Sequence, residues 1–340
     1  MDQEKWLNSL ANSVSYYPFN GPHVDIVNDL IRSWFVETEP NVISMRNRLA
    51  KMGGTLDVGV LDSDRIEGNS VPGYDPDTGE SSSLAQISLG IFPKVLGLSN
   101  RAHVARYFGH HEPWVADAFD EWSINDKSVG VLNWGGGHVE RDTRNSVHDC
   151  ATLALFHEVA HCQEPFPEPI TPEQSRATEA CADEGAGFLF VQNLTAKTSV
   201  LRKLDETEIL SRIADASFFL SVLVHWASTN SDKKHFYHHP WTRMRCFTRG
   251  ACLALYGAEV SKWRHAFDLA WDRQSEYSLA IAVFTPGELW YWHAHEEILA
   301  DWRSFLTETH PLMNEMRDQL RDGLLLTPLT RGMKWIEHFQ

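Results

Sequence analysis

His157 and His161 stand four residues apart, with Glu158 beside the first, in the run from His148 to Gln163 (HDCATLALFHEVAHCQ). On a helix, residues at that spacing share one face, so both imidazoles can turn a ring nitrogen to one metal ion. Glu158 lies about 100° around the same helix from His157, where it reaches a water on that metal without ligating it. This is the His-Glu-x-x-His pattern of zinc hydrolysis. Uncharged Leu155, Phe156, Val159 and Ala160 predict a buried helix, with Asn145 or Ser146 as its cap.

A catalytic zinc takes three protein ligands and leaves a position for water. The next segment offers the third. Thr171-Pro172-Glu173-Gln174 reads as a capping box with proline at the first helical position. Along that helix Glu179 and Asp183 share a face. Glu179 can ligate zinc, and Asp183 can accept the free N–H of a zinc-bound imidazole. The 17 residues between His161 and Glu179 allow a proline-rich turn and a return to the metal. Cys150, Cys162 and Cys181 lie close in sequence and leave a Cys/His structural site open as an alternative. No Cys-x-x-Cys knuckle occurs, so buried space-filling thiols are the preferred reading.

The elements that must carry these groups can be read from the remaining pattern. Val27, Leu30, Ile31, Trp34 and Phe35 predict an amphipathic helix started by Pro22, and a second helix from Asn41 to Met52 ending at Gly53-Gly54. Alternation at Leu56, Val58 and Val60, and at Ile87, Leu89 and Ile91, predicts strands, as does the run Val129 to Trp134. Between the first two, Gly68 to Ser83 reads as a long exposed loop. From Asn145 onward the chain is mainly helical. The expected class is α+β: residues 1–144 form helices plus a small sheet, and residues 145–340 form the helical portion with both metal-site helices.

At 340 residues with 43% apolar and 11% aromatic content, 13 of them Trp, the chain can bury a substantial core. With 46 acidic against 30 basic residues and a net charge of −16, it is a poor nucleic-acid binder. The longest apolar run, Ser217 to Trp226, is about half a bilayer span, and the N-terminus shows no export signal. Five cysteines without paired spacing suit a reducing compartment. The expectation is a cytoplasmic protein with neither membrane nor nucleic acid as partner.

These motifs resemble the gluzincin metallopeptidases, whose HExxH helix is followed by a Glu-x-x-x-Asp helix. Glu179-Ala180-Cys181-Ala182-Asp183 is similar to the E-x-x-A-D form of the HtpX and CAAX-prenyl endopeptidases and of the soluble, phage-exclusion Lit peptidases. Those groups carry a further His-Pro followed by arginine five residues beyond the proline. Here His239-Pro240 and Arg245 fit, and His310-Pro311 with Arg317 is a rival copy displaced by one residue. The resemblance spans roughly residues 147–247 and lacks the membrane spans of HtpX, so the Lit-like branch is nearer. It implies a packed zincin-type helix pair, bound Zn2+, Glu158 as general base, and His239 or Arg245 as oxyanion stabiliser. It implies a protein or peptide substrate, cleaved on a trigger in phage defence, and the alternating residues Gln86 to Phe92 are the expected strand for edge pairing with it. The competing expectation is a non-catalytic helical scaffold with structural zinc.

Overall fold

The computed structural model describes residues 23–50, 54–74, 81–109, 115, 129–162, 171–195, 204–229, 237–282 and 295–321. Among these the chain is mainly helical with one small mixed sheet, the α+β class read from the sequence.

Helix α1 (Val24–Ala50) is one element where two were expected. Its buried stripe of Val27, Ile31, Trp34, Thr38 and Val42 continues in phase through Pro40. Burial of that stripe outweighs the one backbone hydrogen bond that Pro40 removes. The expected start at Pro22 lies outside the described residues.

Strands β1 (Gly54–Leu61), β2 (Gly68–Tyr74) and β3 (Ser81–Ser88) form a sheet ordered β1-β3-β2. β1 runs parallel to β3, and β2 antiparallel to it. The stretch expected as a loop therefore begins with an edge strand. Its Gly, Asn, Ser and Pro residues have little strand propensity, so pairing with β3 supplies the order, and Pro72 sits where an edge tolerates it. β3 ends at Ser88 and is flanked on both sides, so the expected edge strand at 86–92 is corrected: it spans the end of a central strand and the start of a helix.

Helix α2 (Ile91–Phe108) gave no periodic signal because Ile91 through Ala105 are all buried. Val129–Trp134 is not a strand. Its backbone at Asn133 is clamped instead by the Asn100 side chain, which donates to Asn133 O at 3.1 Å and accepts from its N–H at 2.9 Å.

The remaining elements are α3 (Gly137–His161), α4 (Pro172–Thr195), α5 (Glu206–Thr229), α6 (Pro240–Tyr256), α7 (Val260–Ala282), α8 (His295–Ser304), a π-helical turn (Phe305–Thr309) and α9 (His310–Arg321). α3 starts at Gly137, well before the expected caps. Ser146 accordingly sits inside it and pairs with His103 at 2.9 Å. The boundary at 144/145 falls within α3, and one apolar cluster draws on residues from Val27 to Ile298. α5 is apolar and long enough to cross a membrane by composition, but 72% of its apolar window is buried within the protein.

Two contacts position the helices that carry His157, His161 and Glu179. α3 lies against β2 and β3, and α4 packs between α3 and α6. The α4–α6 crossing is close: a Cβ on Gly187 would overlap the Phe247 carbonyl, and one on Gly250 would overlap the Glu184 carbonyl. Glycine at both sites lets the helices approach, which carries Arg243 of α6 to the face of α4 that bears Glu179 and Asp183.

Candidate metal centre

The expected capping box starts α4 as read: Thr171 Oγ1 accepts from Gln174 N–H at 3.3 Å, and Gln174 Oε1 accepts from Thr171 N–H at 3.1 Å. The turns that follow bring Glu179 opposite the histidine pair of α3. Nε2 of His157 and Nε2 of His161 are 2.9 Å apart, and the Glu179 carboxylate oxygens lie 3.3 Å from the first and 3.4 Å from the second. Ligand atoms on a tetrahedral zinc with bonds of about 2.0–2.1 Å are separated by roughly 3.3 Å. Three converging donors at that spacing fit a metal, and these three residues are the metal-capable cluster among the described residues.

Charge points the same way. Glu158, Glu179 and Asp183 are three carboxylates at one largely buried place, against one buried guanidinium, that of Arg243; Arg65 and Glu67 at the cavity rim are exposed and of opposite charge. The residual negative charge matches a divalent cation. The surroundings favour positive charge strongly: burial opposes a proton on His157, yet the carboxylates of Asp183 and Glu179 raise its pKa to about 10. Burial likewise pushes Glu179 up, but the two histidines hold it well below the usual carboxylate range.

Asp183 stands where the sequence placed it. Its Oδ1 is 2.9 Å from His157 Nδ1, off the line of an ideal N–H bond, and its oxygens accept two hydrogen bonds from Arg243. A carboxylate on Nδ1 keeps the proton there, so the proton a metal ion would displace is the one on Nε2. Glu158 is set beside the pair on the cavity side. Burial raises its pKa, and the Ser70 hydroxyl of β2 bonds to it. β2 passes so closely that a Cβ on Gly68 would overlap the Glu158 carboxylate.

The cluster opens on a cavity of about 760 Å3, lined by β2 residues Gly68, Asn69 and Ser70 on one side and by Thr178, Tyr237 and Arg243 on another. Tyr237 was not foreseen. The negative charge of Glu179, followed by burial, raises its hydroxyl pKa to about 12, so it remains a proton donor at neutral pH.

Neither member of the expected His239/Arg245 pair lines this cavity. His239 caps α6: its Nδ1 accepts from Trp241 N–H at 3.2 Å, and its backbone N–H donates to Asp301 at 3.1 Å. Arg245 faces the other side of α6, its guanidinium 4.3 Å from the Trp302 ring centroid. The arginine at the site is Arg243, in phase with the buried stripe of Phe247, Gly250 and Ala251, whereas Arg245 is about 200° away. That phase was the available signal, and spacing from the proline missed it. His310 begins α9 with its ring 6.0 Å from Phe305, and it does not line the cavity either. The three nearby cysteines stay out of the cluster: Cys150 is in the main core, Cys162 donates to Leu84 O at 3.4 Å, and Cys181 packs with Cys246. All five cysteines are buried and none is in a disulfide.

No protein-family model, no curated protein and no solved structure matches the chain.

Proposed function

We propose that this chain is a zinc-dependent endopeptidase. The observation that carries the reading is the convergence of His157 Nε2, His161 Nε2 and Glu179 at 2.9–3.4 Å, with Glu158 alongside and a cavity in front. Those three residues would hold the ion, which supplies Lewis-acid polarisation of a carbonyl and a nucleophilic water at neutral pH.

The chain's own groups supply the rest. The Glu158 carboxylate, shifted up by burial, takes the proton of the attacking water and returns it to the departing amine. The Tyr237 hydroxyl at the cavity wall donates to the carbonyl oxygen as it gains charge. Asp183 fixes the tautomer and orientation of His157, and Arg243 fixes Asp183. β2 is a sheet edge along the cavity, so an extended peptide can pair with it in place of the expected 86–92 strand.

The order of motifs resembles the gluzincins, and the closeness of His157, His161, Glu179 and Asp183 supports that reading, with Arg243 in place of the expected Arg245 and His239 outside the cavity. The nearer likeness to the Lit peptidases extends the reading to a cytoplasmic effector of phage defence, cleaving a host protein on a trigger. The scaffold alternative requires a closed structural zinc site with four protein ligands. Three ligands beside an acid and an open cavity count against it. The test is Glu158→Gln, expressed in the host with and without phage challenge and read by proteome cleavage. Cleavage present in wild type and lost by at least roughly 10²-fold in the variant, with zinc retained, supports the reading. Equal cleavage by both sinks it.

A further inference from the structure

Behind the metal helices, the far side of α6 faces a second cavity of about 410 Å3 that shares no residue with the first. Arg245 enters it from α6. Phe267, Asp268, Trp271 and Gln274 of α7 and Trp302 of α8 complete its wall. The aromatic surfaces are braced from behind. Trp302 stacks on Phe305 with centroids 4.9 Å apart and planes at 11°, and Trp271 leans on buried Trp241 at 4.7 Å. Trp271 still keeps 39% of its surface exposed.

Two polar groups here have no ionic or hydrogen-bonding partner among the described residues. The Arg245 guanidinium lies 4.3 Å from the Trp302 centroid and 5.9 Å from that of Trp271, with no carboxylate partner among the described residues. Asp268 pairs instead with Arg264 at 3.7 Å. A half-buried guanidinium without a counter-charge is costly, and burial accordingly lowers its pKa. Gln274 is only 2% exposed, yet it makes no hydrogen bond to a described residue. A carboxamide hidden that far normally has partners. A lone cation, an unsatisfied amide and two indole rings therefore surround one space of small-molecule size.

We propose that this cavity binds a nucleoside monophosphate. The base stacks against the exposed surface of Trp271, the Gln274 amide pairs with its polar edge, and Arg245, held over Trp302, takes the phosphate. Asp268 accepts from the ribose hydroxyls. One guanidinium suits one phosphate group rather than a polyphosphate chain. A simple aromatic acid offers a ring and a charge but leaves Gln274 and Asp268 unused.

The test is tryptophan fluorescence and calorimetry on the full chain, titrated with AMP, GMP, CMP and UMP. The matching nucleosides, inorganic phosphate and indole-3-acetate are run beside them. At least one monophosphate should bind saturably, with its nucleoside and inorganic phosphate at least about tenfold weaker. Arg245→Met should weaken that monophosphate at least about tenfold while zinc content stays unchanged. Arg245→Lys and Gln274→Leu give the same comparison if the Met variant does not fold. Absence of saturable binding by all four monophosphates overturns the proposal. So does unchanged binding in a folded Arg245 variant, or indole-3-acetate binding more tightly than every monophosphate.

Discussion

Asp183 and Arg243 form a bidentate pair at 2.8 and 2.7 Å, both side chains buried, and Asp183 is at the same time 2.9 Å from Nδ1 of His157. The arginine of α6 thus reaches the proposed metal ligand of α3 through a carboxylate of α4. It lies 3.5 Å from Glu179 as well, so two members of the proposed ligand set depend on its place.

Breaking this pair from either side should weaken zinc binding without removing a ligand. Asp183→Asn and Arg243→Lys are each expected to lower zinc affinity by about 10–100-fold, measured by competition with a chelator. Arg243→Ala strands a buried carboxylate and should cost roughly 3–5 kcal/mol in denaturant unfolding. Arg245→Ala should leave zinc affinity unchanged. Loss of affinity in the Arg245 variant alone would return that residue to the site.

Gly68→Ala tests the approach of β2 to the proposed base. The added methyl would overlap the Glu158 carboxylate, while a strand accepts alanine readily. Turnover should fall by about 10²-fold from misplacement of Glu158, with zinc content unchanged. Normal turnover would mean that Glu158 is not used where it stands.

Tyr237→Phe removes one hydroxyl from the cavity wall. If it donates to the developing oxyanion, kcat should drop by about 10²–10³-fold with little change in KM or metal content. A change confined to KM would make it a substrate-binding group instead.

Two buried groups away from the metal give a pH signature. His103 lies between Ser146 and Tyr277, and burial lowers its pKa to about 3. Its neutral form therefore contributes stability above the unfolded value near 6.5, which is lost as pH falls towards 3. Between pH 6.5 and 5 that amounts to about 2 kcal/mol. Asp215 has the opposite sign. Burial raises it to about 7, so its contribution is full below about pH 4 and is lost as pH rises through 7. His103→Gln should flatten the acid-side decline in Tm, and Asp215→Asn should flatten the decline on the neutral side. Parallel pH profiles for wild type and both variants would contradict these assignments.

The convergence of the candidate cluster was legible because a helix converts spacing into direction: His157, His161 and the Glu179/Asp183 pair each share a face by period alone. β2 was not, because its Gly, Asn, Ser and Pro residues acquire strand structure from pairing with β3. α2 was missed for the opposite reason, since burial on every side erases amphipathic contrast. Arg245 was chosen by its distance from a proline, whereas the α4–α6 crossing selects the phase of Arg243.

The most direct measurement of the metal centre is zinc content of the purified chain and of Glu179→Ala, by elemental analysis after dialysis. We expect about one zinc per chain in the wild type and a large loss in the variant, since two imidazoles alone make a poor site. A wild type that binds no zinc, or a Glu179→Ala chain that keeps all of it, would contradict the account.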